Sequence, residues 1–282
     1  MGLVILAALC VAAFAITFRF FERYQVPLFP AITVNYAVAF CCGLVCYPPW
    51  SVGDLSLLWM PALVLGILFV TIFSLTGISA RRAGAARTTI AGRMSLVITV
   101  LATVRVFREH LAPLAWAGIG LALVGLVLST ASAHDDRQRR SWLLPAVIFL
   151  GSGAADVIVN AAQRVRTTSL NEAAFTTLCF GAASLVSACV LLVRGGAAQL
   201  RVRRVWIGGT ALGVVNYASL LFLILALGSG TMTASAIFPL MNIAAILFAT
   251  FAGALVFKER LSLRQWIGMG LCIVALALIM LG

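Results

Sequence analysis

Apolar stretches of bilayer-crossing length follow one another almost without interruption, and this decides which solvent the chain can fold in. A membrane span needs roughly 20 mostly apolar residues. Runs that qualify centre on residues 2–18, 28–47, 56–76, 86–104, 113–130, 142–162, 171–193, 205–227, 232–256 and 262–281. Of the 282 residues 63% are hydrophobic and 10% charged, too few charges to cover a water-soluble surface of this size. The expected fold is therefore an all-α integral membrane protein with ten transmembrane helices. Loops this short leave no room for a soluble domain, so function must lie among the helices. The first run lacks the basic flank of a secretory signal and is read as a retained helix.

A formal net charge of +12 raises the question of nucleic acid, but the cations are spread over many short loops and form no stripe. Topology explains them better. With ten spans, one side of the membrane holds Arg19, Arg23, Arg81, Arg82, Arg87, Arg137, Arg139, Arg140, Arg194, Arg201, Arg203, Arg204, Lys258, Arg260 and Arg264. The other holds Arg105, Arg108, Arg164 and Arg166. The positive-inside rule then puts the odd-numbered loops in the cytoplasm and both termini outside it, in a multi-pass protein of the cell (inner) membrane. The seven cysteines lie in or at the ends of apolar runs, without CxxC spacing, and are read as small core residues.

A repeat organises the chain further. Arg108-Glu109-His110-Leu111 is followed by Trp116, Gly118 and Gly120; Lys258-Glu259-Arg260-Leu261 is followed by Trp266, Gly268 and Gly270, each partner about 150 residues on. The charged segment 133–141 separates residues 1–132 from 142–282, five spans on each side. Because five is odd, like segments must face opposite sides of the bilayer, which makes the two five-helix repeats inverted. Many secondary transporters are built this way, with the substrate site near the midplane. Glu109 and Glu259 each precede a helix and lie beside cations, so they are read as stabilising the N-terminal dipole of that next helix. Gly118, Gly120, Gly268 and Gly270 are read as points of close helix contact.

The two Glu-x-Leu turns, each running into a Trp-x-Gly-x-Gly helix, resemble the EamA type of the drug/metabolite transporter superfamily. That resemblance covers essentially the whole chain. It implies a ten-helix bundle with a central cavity open alternately to each side, and small metabolites or drugs as cargo. It carries no substrate-binding motif over. Members of the family are usually drawn with cytoplasmic termini, the reverse of the arginine count.

Ionisable groups inside a span cost at least roughly 2.5–3.5 kcal/mol on insertion scales and mark functional candidates. Arg93 in the fourth run and Asp156 in the sixth, with Asn160 one turn on, are such groups. Counting the 1.5 Å rise from the membrane faces puts Arg93 about 12 Å deep, Asn216 about 16 Å, Asn242 about 14 Å and Asp156 about 20 Å. Asn35 and Tyr36 come out shallower. Together with Tyr217 these residues are expected to line one polar cavity. Two readings of Arg93 stay open: its planar fork docks a carboxylate or other anionic group of the cargo, or it neutralises Asp156 as a structural pair. Asp156 could also exchange a proton as access alternates. Pro239 removes a backbone hydrogen bond in mid-span and, with Gly228 and Gly230, marks a possible hinge.

No cofactor is implied. The partners are a small-molecule substrate and the lipid bilayer, with no nucleic acid, and monomer and homodimer are both open. Rival readings are a lipid or lipid-linked-sugar flippase of the same fold, a non-transporting scaffold, and an intramembrane enzyme. The enzyme reading has no HExxH or GxSxG motif behind it, and the two histidines, His110 and His134, fall in loops.

Overall fold

Each apolar run read from the sequence holds a helix. The computed structural model describes residues 1–51, 58–82, 85–130, 143–164, 169–256 and 262–281. In chain order the helices are α1 (Gly2–Arg23), α2 (Leu28–Cys46), α3 (Trp59–Arg82), α4 (Ala85–Met94), α5 (Leu96–Arg105), α6 (Pro113–Thr130), α7 (Leu143–Arg164), α8 (Ser169–Val193), α9 (Arg203–Gly228), α10 (Ala234–Val256) and α11 (Leu263–Leu281). Six stretches, in α2, α3, α7, α8, α9 and α10, are long and apolar enough to cross a membrane, and shorter apolar stretches lie in α1, α6 and α11. Large apolar side chains face outward, among them Leu150, Leu185, Ile207 and Leu263, each at least 60% exposed. Such a surface suits hydrocarbon and not water.

The fourth run is two helices, not one. At Ser95 the hydroxyl donates to the Gly92 carbonyl at 2.7 Å, and Ile98 N–H donates to the Ser95 carbonyl at 2.9 Å, a tightened i to i+3 turn. α4 therefore ends at Met94 and α5 begins at Leu96, with Ser95 between them still in the right-handed helical region.

Two compact units emerge: residues 1–71 with 158–229, and residues 72–157 with 230–282. Both draw on both halves of the chain. The proposed linker at 133–141 and the Glu259 turn lie outside the described residues.

In the first unit α1 and α2 pack on α9, and α2 also packs on α8. Phe21, Ala31, Val34, Val205 and Leu212 form the buried core of that contact. Gly209 and Gly213, four residues apart, make a notch on α9. A Cβ at Gly209 would stand 2.6 Å from that of Val34, and one at Gly213 2.6 Å from the Asn35 carbonyl oxygen. Only a bare backbone lets α2 settle there.

In the second unit α6 packs along α11, and α10 packs on α5, α6 and α11. Gly118 faces Ile279 and Ala275, while a Cβ at Gly125 would come 2.8 Å from the Gly268 carbonyl oxygen. Gly120 and Gly270 do not share this role, contrary to the sequence reading: nothing lies within 4 Å of a Cβ at either. Two residues at 100° each carry Gly120 about 200° round the helix from Gly118, away from α11. Of the cysteines, Cys179 and Cys272 are buried, but Cys41, Cys46 and Cys189 are exposed and are not core residues.

Gly125→Leu is expected to cost about 1–3 kcal/mol by overpacking, whereas Gly270→Leu changes stability by less than about 0.5 kcal/mol. Thermal unfolding of the detergent-purified protein separates the two; equal effects would contradict the assignment of packing to Gly125.

Candidate functional site

Arg93 lies in the last turn of α4, just ahead of the tightened turn at Ser95. Its Nη1 donates to Asn242 Oδ1 at 2.9 Å. Asn242 is fixed by its own helix, because its Nδ2 donates to the Phe238 carbonyl at 3.0 Å, one turn back on α10. With the amide nitrogen held, the oxygen is left to face the arginine. The two residues expected at one depth thus meet directly. Pro239, inside α10, cannot donate to the Ser235 carbonyl, so the helix that carries Asn242 is weakened one turn before it.

Asp156 reaches the same unit from α7. Thr99 of α5 donates its hydroxyl to Asp156 Oδ2 at 3.2 Å. Gly153 explains the meeting: a Cβ there would lie 2.7 Å from Ile98 Cβ, so α5 fits against α7 just where Thr99 faces Asp156. Gly151-Ser152-Gly153 is therefore a packing notch, with Gly151 set against Ile72 in the same way. The Arg93 and Asp156 charges interact electrostatically, yet their hydrogen bonds go to Asn242 and to Thr99. Among the described residues no ion pair closes between them.

The sequence reading does not single out Thr99. Its signal is a polar stripe at four-residue spacing, Ser95, Thr99 and Thr103, all buried on one face of an otherwise apolar helix.

A second polar cluster lies in the other unit. Asn216 of α9 donates through Nδ2 to Asn35 Oδ1 of α2 at 3.1 Å, and Asn35 is fully buried. Asn35, expected shallower than Asn216, in fact meets it. The Gly213 notch, one turn before Asn216, brings α9 close enough. Among the described residues Asn35 Nδ2 has no hydrogen-bond partner. Tyr36 and Tyr217 flank Phe180, ring centroids 6.3 and 6.2 Å away, and Phe69 lies 6.4 Å from Phe180 on α3. Phe180 and Phe69 carry no polar atom and so escape a search for polar residues in apolar runs. Asn160 is buried one turn beyond Asp156 on α7.

The remaining residues fall outside both clusters. Gly230 has a φ of 62°, the left-handed region that glycine occupies without strain, in the turn after Gly228 ends α9. Trp116 and Trp266 are exposed on α6 and α11. Glu109 corrects the sequence reading. Its Oε2 accepts the Ser235 backbone N–H at 3.0 Å, so it serves the first turn of α10. Arg108, at a φ of 54°, and the bond from Glu109 N–H to the Thr103 carbonyl turn the chain so that the carboxylate can do this.

Residues 1–131 match the EamA-like transporter family, which belongs to the drug/metabolite transporter superfamily. An uncharacterized protein of Haemophilus influenzae is 29% identical over 280 residues, covering 94% of this chain and 92% of its own. A protein of known crystal structure superposes at a TM-score of 0.75 with 17% identity, over 99% of this chain and 95% of that one. At that identity the likeness speaks for the fold alone.

Glu109→Ala removes a charged acceptor from a helix N-terminus and is expected to cost about 1–2 kcal/mol. Glu109→Gln keeps an acceptor and should lose less. Thermal unfolding of both variants checks this, and no loss in Glu109→Ala would contradict the contact's role.

Proposed function

We propose that this membrane protein, of which residues 1–131 match the EamA-like transporter family, is a secondary active transporter for a small metabolite bearing a carboxylate or other anionic group, and that Arg93 docks that group. The observation that carries the reading is the state of the guanidinium. It offers five N–H donors, and among the described residues Asn242 takes the only hydrogen bond it makes. An arginine kept only to neutralise Asp156 would be expected to close on it, since a buried ionic pair is tolerable only with good geometry. Here each partner is held by a neutral side chain instead. That arrangement leaves a planar fork for an anion.

The wider scheme belongs to the same proposal. Ten spans form two inverted five-helix repeats in the inner membrane, with both termini outside the cytoplasm, and access to a midplane cavity alternates between the two sides. Pro239, Gly228 and Gly230 are the points where the chain flexes. The Asn35 amide, with its unpartnered donor, is a second polar point where cargo can hydrogen-bond along its route. Asp156, held through one oxygen, takes and releases a proton as the charge beside it changes with cargo, which couples uptake to a pH gradient.

A thermal-shift screen of metabolites on the purified protein supplies the cargo, and reconstituted vesicles supply the test. Arg93→Gln should weaken uptake about ten- to a hundredfold, the effect of losing charge-assisted hydrogen bonds of about 1.5–3 kcal/mol. Arg93→Lys keeps the charge without the fork and should fall between. Unchanged uptake in Arg93→Gln would rule the docking role out. Asp156→Asn should abolish uptake driven by a pH gradient while sparing cargo exchange at equal pH; retained gradient-driven uptake would exclude proton coupling through Asp156.

A further inference from the structure

The second unit carries an apolar groove that the transport reading does not use. Val97, Val100 and Leu101 of α5 form one wall, and Trp116, Gly120 and Leu123 of α6 form the other, around a cavity of about 160 Å³. It arises from packing. α5 and α6 both lean on α10, and the glycine face of α6 at Gly118 and Gly125 is committed to α11. Gly120 lies on the far side, with nothing within 4 Å of where its side chain would be. Leu101 and Trp116 are 46% and 41% exposed, so the groove opens outward. From Trp116 to Leu123 it runs about 10 Å along α6, two thirds of the depth of one leaflet of a roughly 30 Å core.

We propose that an anionic phospholipid occupies this groove, one acyl chain lying against Gly120 and the phosphate held by Arg105 and Arg108. The groove's lining is wholly apolar except for the Trp116 indole, so it fits a hydrocarbon chain and offers no path for a polar headgroup. Two cations stand at the end nearest the α5–α6 connection. Arg105 follows Val97 and Leu101 at four-residue spacing, on the same stripe of α5 and one turn nearer the connection to α6. Arg108 lies in that connection, and both side chains are exposed. Trp116, in the first turn of α6, marks the same level as an interfacial aromatic. Among the described residues neither guanidinium has a hydrogen-bond partner, and the nearby Glu109 carboxylate is turned to Ser235. Two exposed forks of donors above an apolar groove match a phosphodiester with part of an acyl chain packed beneath it.

The test uses the full chain in mild detergent, titrated with dioleoyl phosphatidylglycerol or dioleoyl phosphatidylcholine and read by native mass spectrometry and thermal shift. Phosphatidylglycerol should be retained and raise Tm, and phosphatidylcholine should bind about tenfold more weakly. Inorganic phosphate should have no effect. Gly120→Leu puts a side chain into the groove from a position where a Cβ meets nothing within 4 Å, so it should keep the lipid-free Tm and lose the phosphatidylglycerol shift. Gly120→Ala, a smaller change, should weaken that shift. Arg105→Gln with Arg108→Gln should bring the two lipids to equal affinity. Equal binding of both lipids by the wild type, or a phosphatidylglycerol shift that survives Gly120→Leu, would overturn the proposal. So would a dimer that Gly120→Leu abolishes, which would assign the groove to a second copy of the chain. None of these readouts depends on transport.

Discussion

A guanidinium carried to the depth of Arg93 must find its hydrogen bonds within the protein, because hydrocarbon supplies none. Much of the second unit can be read as the way this is arranged. α4 stops immediately after Arg93, through the Ser95 back-bond, and α10 presents Asn242 with its amide already oriented by the Phe238 carbonyl. The result is a neutral acceptor, which holds the arginine in place without discharging it. A carboxylate in the position of Asn242 would have closed the pair and left nothing for an incoming anion to replace.

Glycine is what brings polar groups of different helices into register. Gly153 stands one turn before Asp156 and admits α5, and Gly213 stands one turn before Asn216 and admits α2. In both cases the missing side chain lets two backbones approach until short polar side chains can touch. The same device without a polar neighbour, at Gly118 and Gly125, yields only packing. Placed on the opposite face, at Gly120, it leaves a groove.

Much of this was legible in the amino-acid order. The apolar runs located the helices because an element in lipid must be long, apolar and self-satisfied. Arg93, Asp156 and Asn242 stood out because lipid makes ionisable and amide groups conspicuous. What stayed hidden depended on which face a residue occupies or on a distant partner. Gly118 and Gly120 belong to one motif, yet only the direction of α11 tells packing from open space. Glu109 looked like a cap for the helix beside it, and only the fold reveals Ser235, 126 residues on, as the donor. Phe180 was invisible as one more apolar residue in an apolar run. The tightened turn at Ser95 has its signal in a serine with threonines at four-residue spacing, but such stripes also occur in regular helices.

The docking role of Arg93 is tested most directly by removing charge from the cargo while the protein stays intact. Isothermal titration of the wild type with a carboxylate cargo and with its neutral methyl ester should show the acid binding at least about tenfold more tightly, and Arg93→Gln should bind both alike. Equal affinity of the wild type for acid and ester would contradict it.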